Sequence, residues 1–325
     1  MIDKIDKKIL FYLDVNARTP MSVISRQIKI SSQLAKYRYN CLVKKGVIKK
    51  AIAVVDLTQL GFIPVRCFIR YKKMSVEKEK EIIEILNRSD RISWLATLGG
   101  RWDLEILMFA KNIVQFYDVF NAFLNEYGSF VSEYNVSIAL SNSYMKRGYL
   151  INKKINDSLE EYGGQPRNLK LDLINIKILE LLVNNARLPI TDLSSQLRIS
   201  TRTARKRIKY LEENKIIQTY NLYLDTSKIS YEFKKALINV NNLTSANLSR
   251  IKYFCKINPN IIYVIHCTGP WNIEMEMEVE NDSVFRNIMF NFRKEFEDII
   301  QTYEPLDVYT EHKKIYFPKI EDLSK

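Results

Sequence analysis

The sequence predicts an α+β chain built twice over, with two winged helix-turn-helix domains alternating with two ferredoxin-like β-α-β-β-α-β domains. Three observations carry that expectation. The first is self-similarity. Asn16-Ala17-Arg18 returns as Asn185-Ala186-Arg187, and the same offset of 169 pairs Ile30-Ser31 with Ile199-Ser200, Arg38 with Arg207, Asp56 with Asp225, Trp102 with Trp271 and Phe116 with Phe285. One constant offset over roughly 145 residues, without a gap, marks a tandem duplication of a two-part unit. The second is periodicity, which is helical in the first part of each unit and alternates strand with helix in the second. The third is the placement of charge. Of the formal +13, residues 1–50 carry +9 and residues 168–220 carry +5, which leaves the rest of the chain close to neutral. That clustering suits nucleic-acid-binding heads on quiet bodies. A membrane surface would attract the same charge, but neither segment has the Trp/Phe/Leu face of an interfacial helix.

Taken in order, Ile5, Ile9, Leu10 and Leu13 line one face of a first helix. Pro20 opens a second helix over 21–28, and Ser31 caps a third over 32–45 that Gly46 stops. Residues 47–55 read as a strand or hairpin in the position of a wing, with Lys49 and Lys50 at its tip and within reach of phosphate. Strands follow at 63–71, 92–98, 104–109 and 131–140, with helices at 76–87 and 112–127. In the second copy the strands fall at 233–240, 261–267, 273–279 and 299–310, and the helices at 245–256 and 282–296. The expected organisation is a winged helix-turn-helix at 1–57 and a ferredoxin-like domain at 62–150. A linker at 151–169, rich in Gly163, Gly164 and Pro166, separates them from a second winged helix-turn-helix at 170–226 and a second ferredoxin-like domain at 231–318. The tail after Pro318 reads as frayed.

The stretch 194–217 holds the strongest functional signal. Ser200 stands where an N-cap is wanted, before TRTARKRIKYLEENK, which no Gly or Pro interrupts. Ala204, Ile208 and Leu211 form its apolar face. Arg202, Arg205, Lys206 and Lys209 fall on the opposite face, with Thr201 at the start. An apolar back and a cationic front after a short helix is what a recognition helix needs in a major groove. A basic face also suits a merely solvated helix, but the pattern occurs twice. In the first copy Gln33, Lys36, Tyr37 and Asn40 stand at the equivalent positions, following Ser32. Gln and Asn pair with adenine edges and Arg or Lys with guanine, so the two heads are expected to be unlike readers of an asymmetric or composite site.

No apolar run approaches a membrane span, and the opening MIDKIDKKIL lacks a signal-peptide core, which predicts a cytoplasmic protein. Cys41, Cys67, Cys255 and Cys267 are scattered without a C-x-x-C pair, and the histidines are His266 and His312. Neither a disulfide framework nor a metal site is expected, and no cofactor. No Ser-His-Asp, Cys-His or glycine-rich phosphate-loop arrangement is present, so the chain is not expected to be an enzyme.

These residues resemble the Lrp/AsnC family of prokaryotic transcription regulators. The resemblance rests on the opening Asp3-x-x-Asp6-x-x-Ile9-Leu10 and the Asn-Ala-Arg before the second helix. It rests further on Ser-x6-Arg-x3-Leu-x5-Ile (Ser31, Arg38, Leu42, Ile48; Ser200, Arg207, Leu211, Ile217) and on Gly100-Arg101-Trp102-Asp103. It covers nearly the whole chain, twice. It implies a regulator of double-stranded DNA whose sensing domains pair and bind a small effector, often an amino acid. If they pair within the chain, each molecule is a pseudo-dimer, and homo-oligomers would pair such pseudo-dimers. By resemblance Gly100, Trp102 and Asp103 line one effector pocket and Gly269, Trp271 and Asn272 its counterpart. The neutral Asn272 offers an ammonium group only hydrogen bonds. The same turn also serves a tight β-hairpin with a packed aromatic. The fold resembles that of siroheme decarboxylases too, which implies an alternative enzyme with basic residues and a histidine at a tetrapyrrole pocket. A third reading is a nucleoid-architectural protein of low sequence specificity.

Overall fold

The computed structural model describes residues 2–152, 160–314 and 317. Helix α1 (Lys4–Val15) starts on a capping box. The Asp3 carboxylate accepts from the Ile5 and Asp6 N–H groups while Asp6 accepts from the Asp3 N–H. α2 (Met21–Ile28) follows Pro20, and α3 (Ser32–Lys44) is capped by Ser31, whose Oγ accepts from the Leu34 N–H at 3.1 Å. Strand β1 (Ile48–Val55) closes this head. Next come β2 (Ile63–Tyr71), α4 (Val76–Arg88), β3 (Ile92–Gly99), β4 (Leu104–Ala110), α5 (Ile113–Tyr127) and β5 (Val131–Tyr144), then a short β6 (Glu160–Gly163). The second copy runs α6 (Leu173–Asn184), α7 (Ile190–Leu197), α8 (Thr201–Glu213) and β7 (Ile217–Leu224) in the head. It continues with β8 (Glu232–Val240), α9 (Ser245–Ile257), β9 (Ile261–Thr268), β10 (Ile273–Val279), α10 (Asp282–Glu295) and β11 (Ile300–Lys314).

Of the strand or hairpin expected at the wing position, 47–55, the structure has the strand. β1 forms no hairpin of its own; it pairs antiparallel with β7 of the other head, Ala53 opposite Tyr220 and Ala51 opposite Leu222. The reason is burial. Five of the last six residues of β1 are apolar and all of 51–55 are buried, so the strand cannot project into solvent as a wing and instead seals a core that both heads share. The repeated Asn-Ala-Arg motif clasps the same seam. Ala17 N–H donates to Tyr220 O and Ala186 N–H to Ala51 O, at 2.7 and 2.8 Å. Arg18 donates to Ala186 O at 2.9 Å, and Arg187 donates to Ala17 O and Thr19 O at 2.5 and 2.9 Å. Each Asn side chain fixes the turn by accepting from the Arg N–H two residues on.

The described part of the predicted linker is not free chain either. β6 adds to the edge of β5, Gly163 N–H donates to the buried Asp56 carboxylate, and Arg167 and Leu169 N–H groups donate to Thr58 O and Gln59 O. The strap thus lies against the first head. Residues 153–159 and the tail beyond Pro318 fall outside the described residues.

Each ferredoxin-like unit has the strand order fourth-first-third-second, as β5-β2-β4-β3 and β11-β8-β10-β9. Such a sheet has two edges, and here each edge finds the other unit. β3 pairs with β11 and β9 with β5, in equivalent registers: Leu98 opposite Val308, Cys267 opposite Ala139. Eight antiparallel strands therefore close into a ring without an open edge. Outward-facing residues such as Ile106, Met108, Met275 and Met277 pack under α4 and α5 or α9 and α10. Inward-facing Phe68, Trp94, Trp102, Leu237 and Trp271 fill the interior.

The interior also holds charge. Arg66 and Lys235, equivalent by the 169 offset, face Glu105, Glu274 and Glu276. Lys235 and Arg66 lie 2.6 and 3.0 Å from Glu105, and Arg66 lies 3.1 Å from Glu274. Burial would discharge Lys235, but Glu105 and its neighbouring carboxylates outweigh that and keep the ammonium charged. Burial likewise acts against the Glu276 carboxylate, yet Lys235 and Arg66 hold it below the usual range. A second buried contact ties head to barrel. Arg147, after β5, sits 2.5 Å from Asp14 of α1 and grips both oxygens of Glu278 of β10 at 2.8 and 2.9 Å.

Candidate nucleic-acid interface

The helix-turn-helix in each copy is set by one left-handed residue. Lys29 (φ 59°) and Arg198 (φ 54°) end α2 and α7, and the following Ile30 and Ile199 N–H groups return to Ser25 O and Ser194 O at 3.0 Å. Ser31 and Ser200 then cap α3 and α8. Ala204, Ile208 and Leu211 are buried on the inner face of α8, as Ala35 and Leu42 are on α3.

An ion pair fixes each recognition helix to the first helix of its head. Arg207 of α8 lies 2.5 Å from Asp172, which caps α6, and donates to Asn175 at 3.1 Å. Arg38 of α3 repeats this with Asp3 at 2.6 Å and Asp6 at 3.4 Å. Burial acts to raise Asp172, but the Asn175 N–H and Arg207 outweigh it and hold the carboxyl below its usual range. These arginines carry the family-like pattern, yet they face their own head.

The outward faces are left free. Thr201, Arg202, Arg205, Lys206 and Lys209 are all exposed, and so are Ser32, Gln33, Lys36, Tyr37 and Asn40. Among these cations of α8, only Lys209 has an ion pair among the described residues, with Glu213 at 3.5 Å and both side chains largely exposed, a contact worth little. Ser32 also bonds Ser25 of α2 at 3.0 Å, so part of its hydroxyl capacity serves the head. The two faces differ as the sequence indicates, four cations on α8 against one, Lys36, among the equivalent positions of α3.

Lys49 and Lys50 are exposed but lie at the inter-head ribbon and not at a wing tip. Lys49 reaches Asp225 of the other head at 3.7 Å and the face of Tyr223 at 5.0 Å, and Lys50 reaches Asn184 at 3.5 Å. Their first partners are thus in the neighbouring head.

The Gly-x-Trp-Asp turn is also committed to the fold. Trp102 and Trp271 are buried in the barrel interior, 6.5 Å apart, with Phe68 wedged against both. Asp103 accepts from the Tyr71 N–H at 2.7 Å; Asn272 accepts from the equivalent Val240 N–H at 2.9 Å and returns a bond to Val240 O. Acid and amide thus do one job, pinning the β-hairpin to the first strand of the unit. Gly100 (φ 117°) and Gly269 (φ 146°) are required, since a Cβ would meet Pro305 O at 3.0 Å and Val136 O at 2.7 Å across the unit interface. What the sequence reading missed is the buried ionic cluster. Its signal was present in Ile-Glu-Met-Glu-Met-Glu-Val at 273–279, where carboxylates alternate with apolar residues at strand period.

Residues 2–49 match the winged helix-turn-helix DNA-binding family and residues 171–212 the AsnC-type helix-turn-helix domain. The chain is 34% identical over 113 residues to the HTH-type transcriptional regulator Ptr1 of Methanocaldococcus jannaschii, covering 35% of this chain and 75% of that one. It is 30% identical over 112 residues to an uncharacterized HTH-type transcriptional regulator of Pyrococcus horikoshii, covering 34% and 70%. To the regulatory protein AsnC of Haemophilus influenzae it is 25% identical over 118 residues, covering 36% and 78%. Among solved structures, the siroheme decarboxylase NirDL matches 99% of this chain and 96% of its own at a TM-score of 0.64 and 14% identity, a likeness of fold.

Proposed function

The chain belongs to the Lrp/AsnC family of transcriptional regulators, and from that premise we propose that it binds double-stranded DNA in the cytoplasm as a sequence-specific regulator rather than acting as an enzyme. The observation that carries this is the outward face of α8, where Arg202, Arg205 and Lys206 are exposed while Arg207 is spent on Asp172. Cations held on a rigid helix without carboxylate partners among the described residues suit phosphate and guanine edges. The unlike face of α3, with Gln33, Tyr37 and Asn40, supports an asymmetric target. Joined heads and a closed barrel give one chain the two-headed form that regulators otherwise reach by dimerising, and further assembly would pair such chains. A small effector, an amino acid in this family-based reading, would act by favouring one head arrangement over another.

Selection of bound sequences from a random duplex pool, followed by anisotropy titration at several salt concentrations, tests the reading. The expected result is an asymmetric site and an affinity that falls steeply with salt. A perfect inverted repeat would contradict the unlike heads, and little preference among sequences would favour an architectural role. The fold likeness to NirDL favours a second reading, a siroheme-processing enzyme. The histidines lend it little support, because His312 is bonded to Thr97 at 3.2 Å and His266 lies beside Lys252. A Soret band on adding siroheme, with no DNA binding, would install it.

A further inference from the structure

In the first ferredoxin-like unit, α4 and α5 leave a cavity of about 190 Å³ between them, over the outer face of the sheet. Ile106 and Met108 of β4 form its floor, with Leu86 of α4 and Phe120 and Phe123 of α5 along its sides. Its mouth lies where Ile85 of α4 and Ala122 of α5, both exposed, border the same space. The wall is almost wholly apolar. Burial pushes the Cys67 thiol far up, so it stays protonated. Glu126, the one charged residue of the lining, is exposed at the rim and accepts from the Tyr127 hydroxyl at 2.8 Å.

The duplication supplies an internal comparison. By the 169 offset, Phe123 and Tyr127 correspond to Phe292 and Phe296 of the second unit, and Ile85 corresponds to Phe254. The Phe254 ring packs edge-on against both, with centroids 5.3 and 5.8 Å away, so the second unit sets an aromatic ring of its own into the corresponding gap. At the position of Ala122 it carries Asn291. Protein interiors are close-packed, and an apolar gap left unfilled forfeits dispersion contacts on every side. An aromatic guest in the first unit would restore them. Size and polarity set its class. An engineered apolar cavity of about 150 Å³ takes benzene, whereas drug-sized ligands need about 300 Å³ or more. A zwitterion or an anion would shed its hydration here with no buried charge to answer it. We propose that the gap between α4 and α5 binds a compact, uncharged aromatic molecule, one ring or two fused, which stands where Phe254 stands in the second unit. Lys313 of β11 donates to Asn87 O and Ser89 O at 2.8 and 2.6 Å, and Ser89 borders the cavity, so a guest there braces the end of α4 that the other unit grips. The site is independent of the DNA-binding reading.

Calorimetric titration of the full chain with indole and with 4-methylphenol, beside L-phenylalanine and benzoate, tests it. At least one of the two uncharged rings is expected to bind with one site per chain. It should also slow hydrogen exchange along α4 and α5 while α9 and α10 keep their rates. L-Phenylalanine and benzoate should bind about tenfold more weakly or worse. Ile85→Phe gives the first unit the second unit's own ring and should weaken binding about tenfold or more. Ile85 is 40% exposed, so the fold has room for the larger side chain. Should that variant not fold, Ile85→Phe with Leu86→Cys reproduces the pair Phe254-Cys255 and takes its place, and the exchange pattern of the wild type locates the guest in either case. No heat from either ring, binding that survives the filled variant, equal affinity for L-phenylalanine, or slowed exchange confined to other elements overturns the site.

Discussion

Lys235 donates to both oxygens of Glu105, at 2.7 and 2.6 Å, and neither side chain has any exposed surface. The two residues belong to different copies of the duplicated unit, so this contact locks the copies together inside the ring. Replacing Lys235 by Ala would leave Glu105 and Glu274 buried with Arg66 as their ion-pair partner among the described residues, beside the neutral Ser137 and Trp271 donors to Glu274. The expected cost is about 3–5 kcal/mol of unfolding free energy, read by urea denaturation. A loss below about 1 kcal/mol, the scale of a surface pair, would mean that water reaches the cluster.

The free and the engaged arginines of α8 should behave differently. Arg205→Ala is expected to cost about 1–3 kcal/mol of DNA-binding free energy if the side chain reads a base. Changing Arg202, Arg205 and Lys206 together should flatten the plot of log affinity against log salt by roughly three phosphate contacts. Arg207→Ala, whose partner Asp172 is half exposed, should leave that slope alone and cost no more than about 1 kcal/mol of stability. Equal salt slopes for the wild type and the triple variant would show that the cationic face is only surface.

Arg18 and Arg187 hold the heads in register through backbone carbonyls across the seam and through the faces of Tyr220 and Tyr39, each at 5.2 Å. Replacing both with Ala should lower DNA affinity by loosening the spacing of α3 and α8. Hydrogen exchange should report the same loosening as faster exchange along β1 and β7, with α4 and α9 unchanged. Unaltered exchange at the ribbon would remove the clasp from the account.

Asp103 and Asn272 make the same backbone bond, so Asp103→Asn should be nearly neutral in stability, whereas Asp103→Ala should cost about 1–2 kcal/mol. A response to amino acid that Asp103→Asn abolishes would make the Asp103 carboxylate the partner of the effector's ammonium group.

Burial lowers both histidines below the usual imidazole value, and Lys252 adds to the effect at His266. The folded state therefore prefers them neutral, while the unfolded chain takes up protons near pH ~6.5. Their contribution to stability is complete above that pH and is lost as the pH falls through the lowered folded values. Urea midpoints should drop between about pH 7.5 and pH 5.5 by more in the wild type than in the chain carrying both His266→Gln and His312→Gln. Parallel decline in the two proteins would assign the acid sensitivity to other groups.

Local signals were legible in the chain itself. The caps Ser31 and Ser200 with the faces Ala204-Ile208-Leu211 and Arg202-Arg205-Lys206 defined the recognition helices, because helix start and helix face depend on neighbours within a few residues. The constant 169-residue offset gave the duplication, and strand alternation placed the ferredoxin-like elements to within a few residues. Which strand meets which was not legible. β1 reads equally as a wing or as half of an inter-head ribbon, since an apolar strand states that it must be covered and not by what. The same holds for Asp103 and Trp102, whose residue types suit either a pocket or a hairpin. Tertiary structure alone decided that β3 closes on β11 and β5 on β9, and that Arg66, Lys235 and three glutamates meet out of water. Those residues are up to 210 positions apart, and charges at such separation leave no periodic trace in sequence; only the enclosed geometry of the ring brings them within bonding distance.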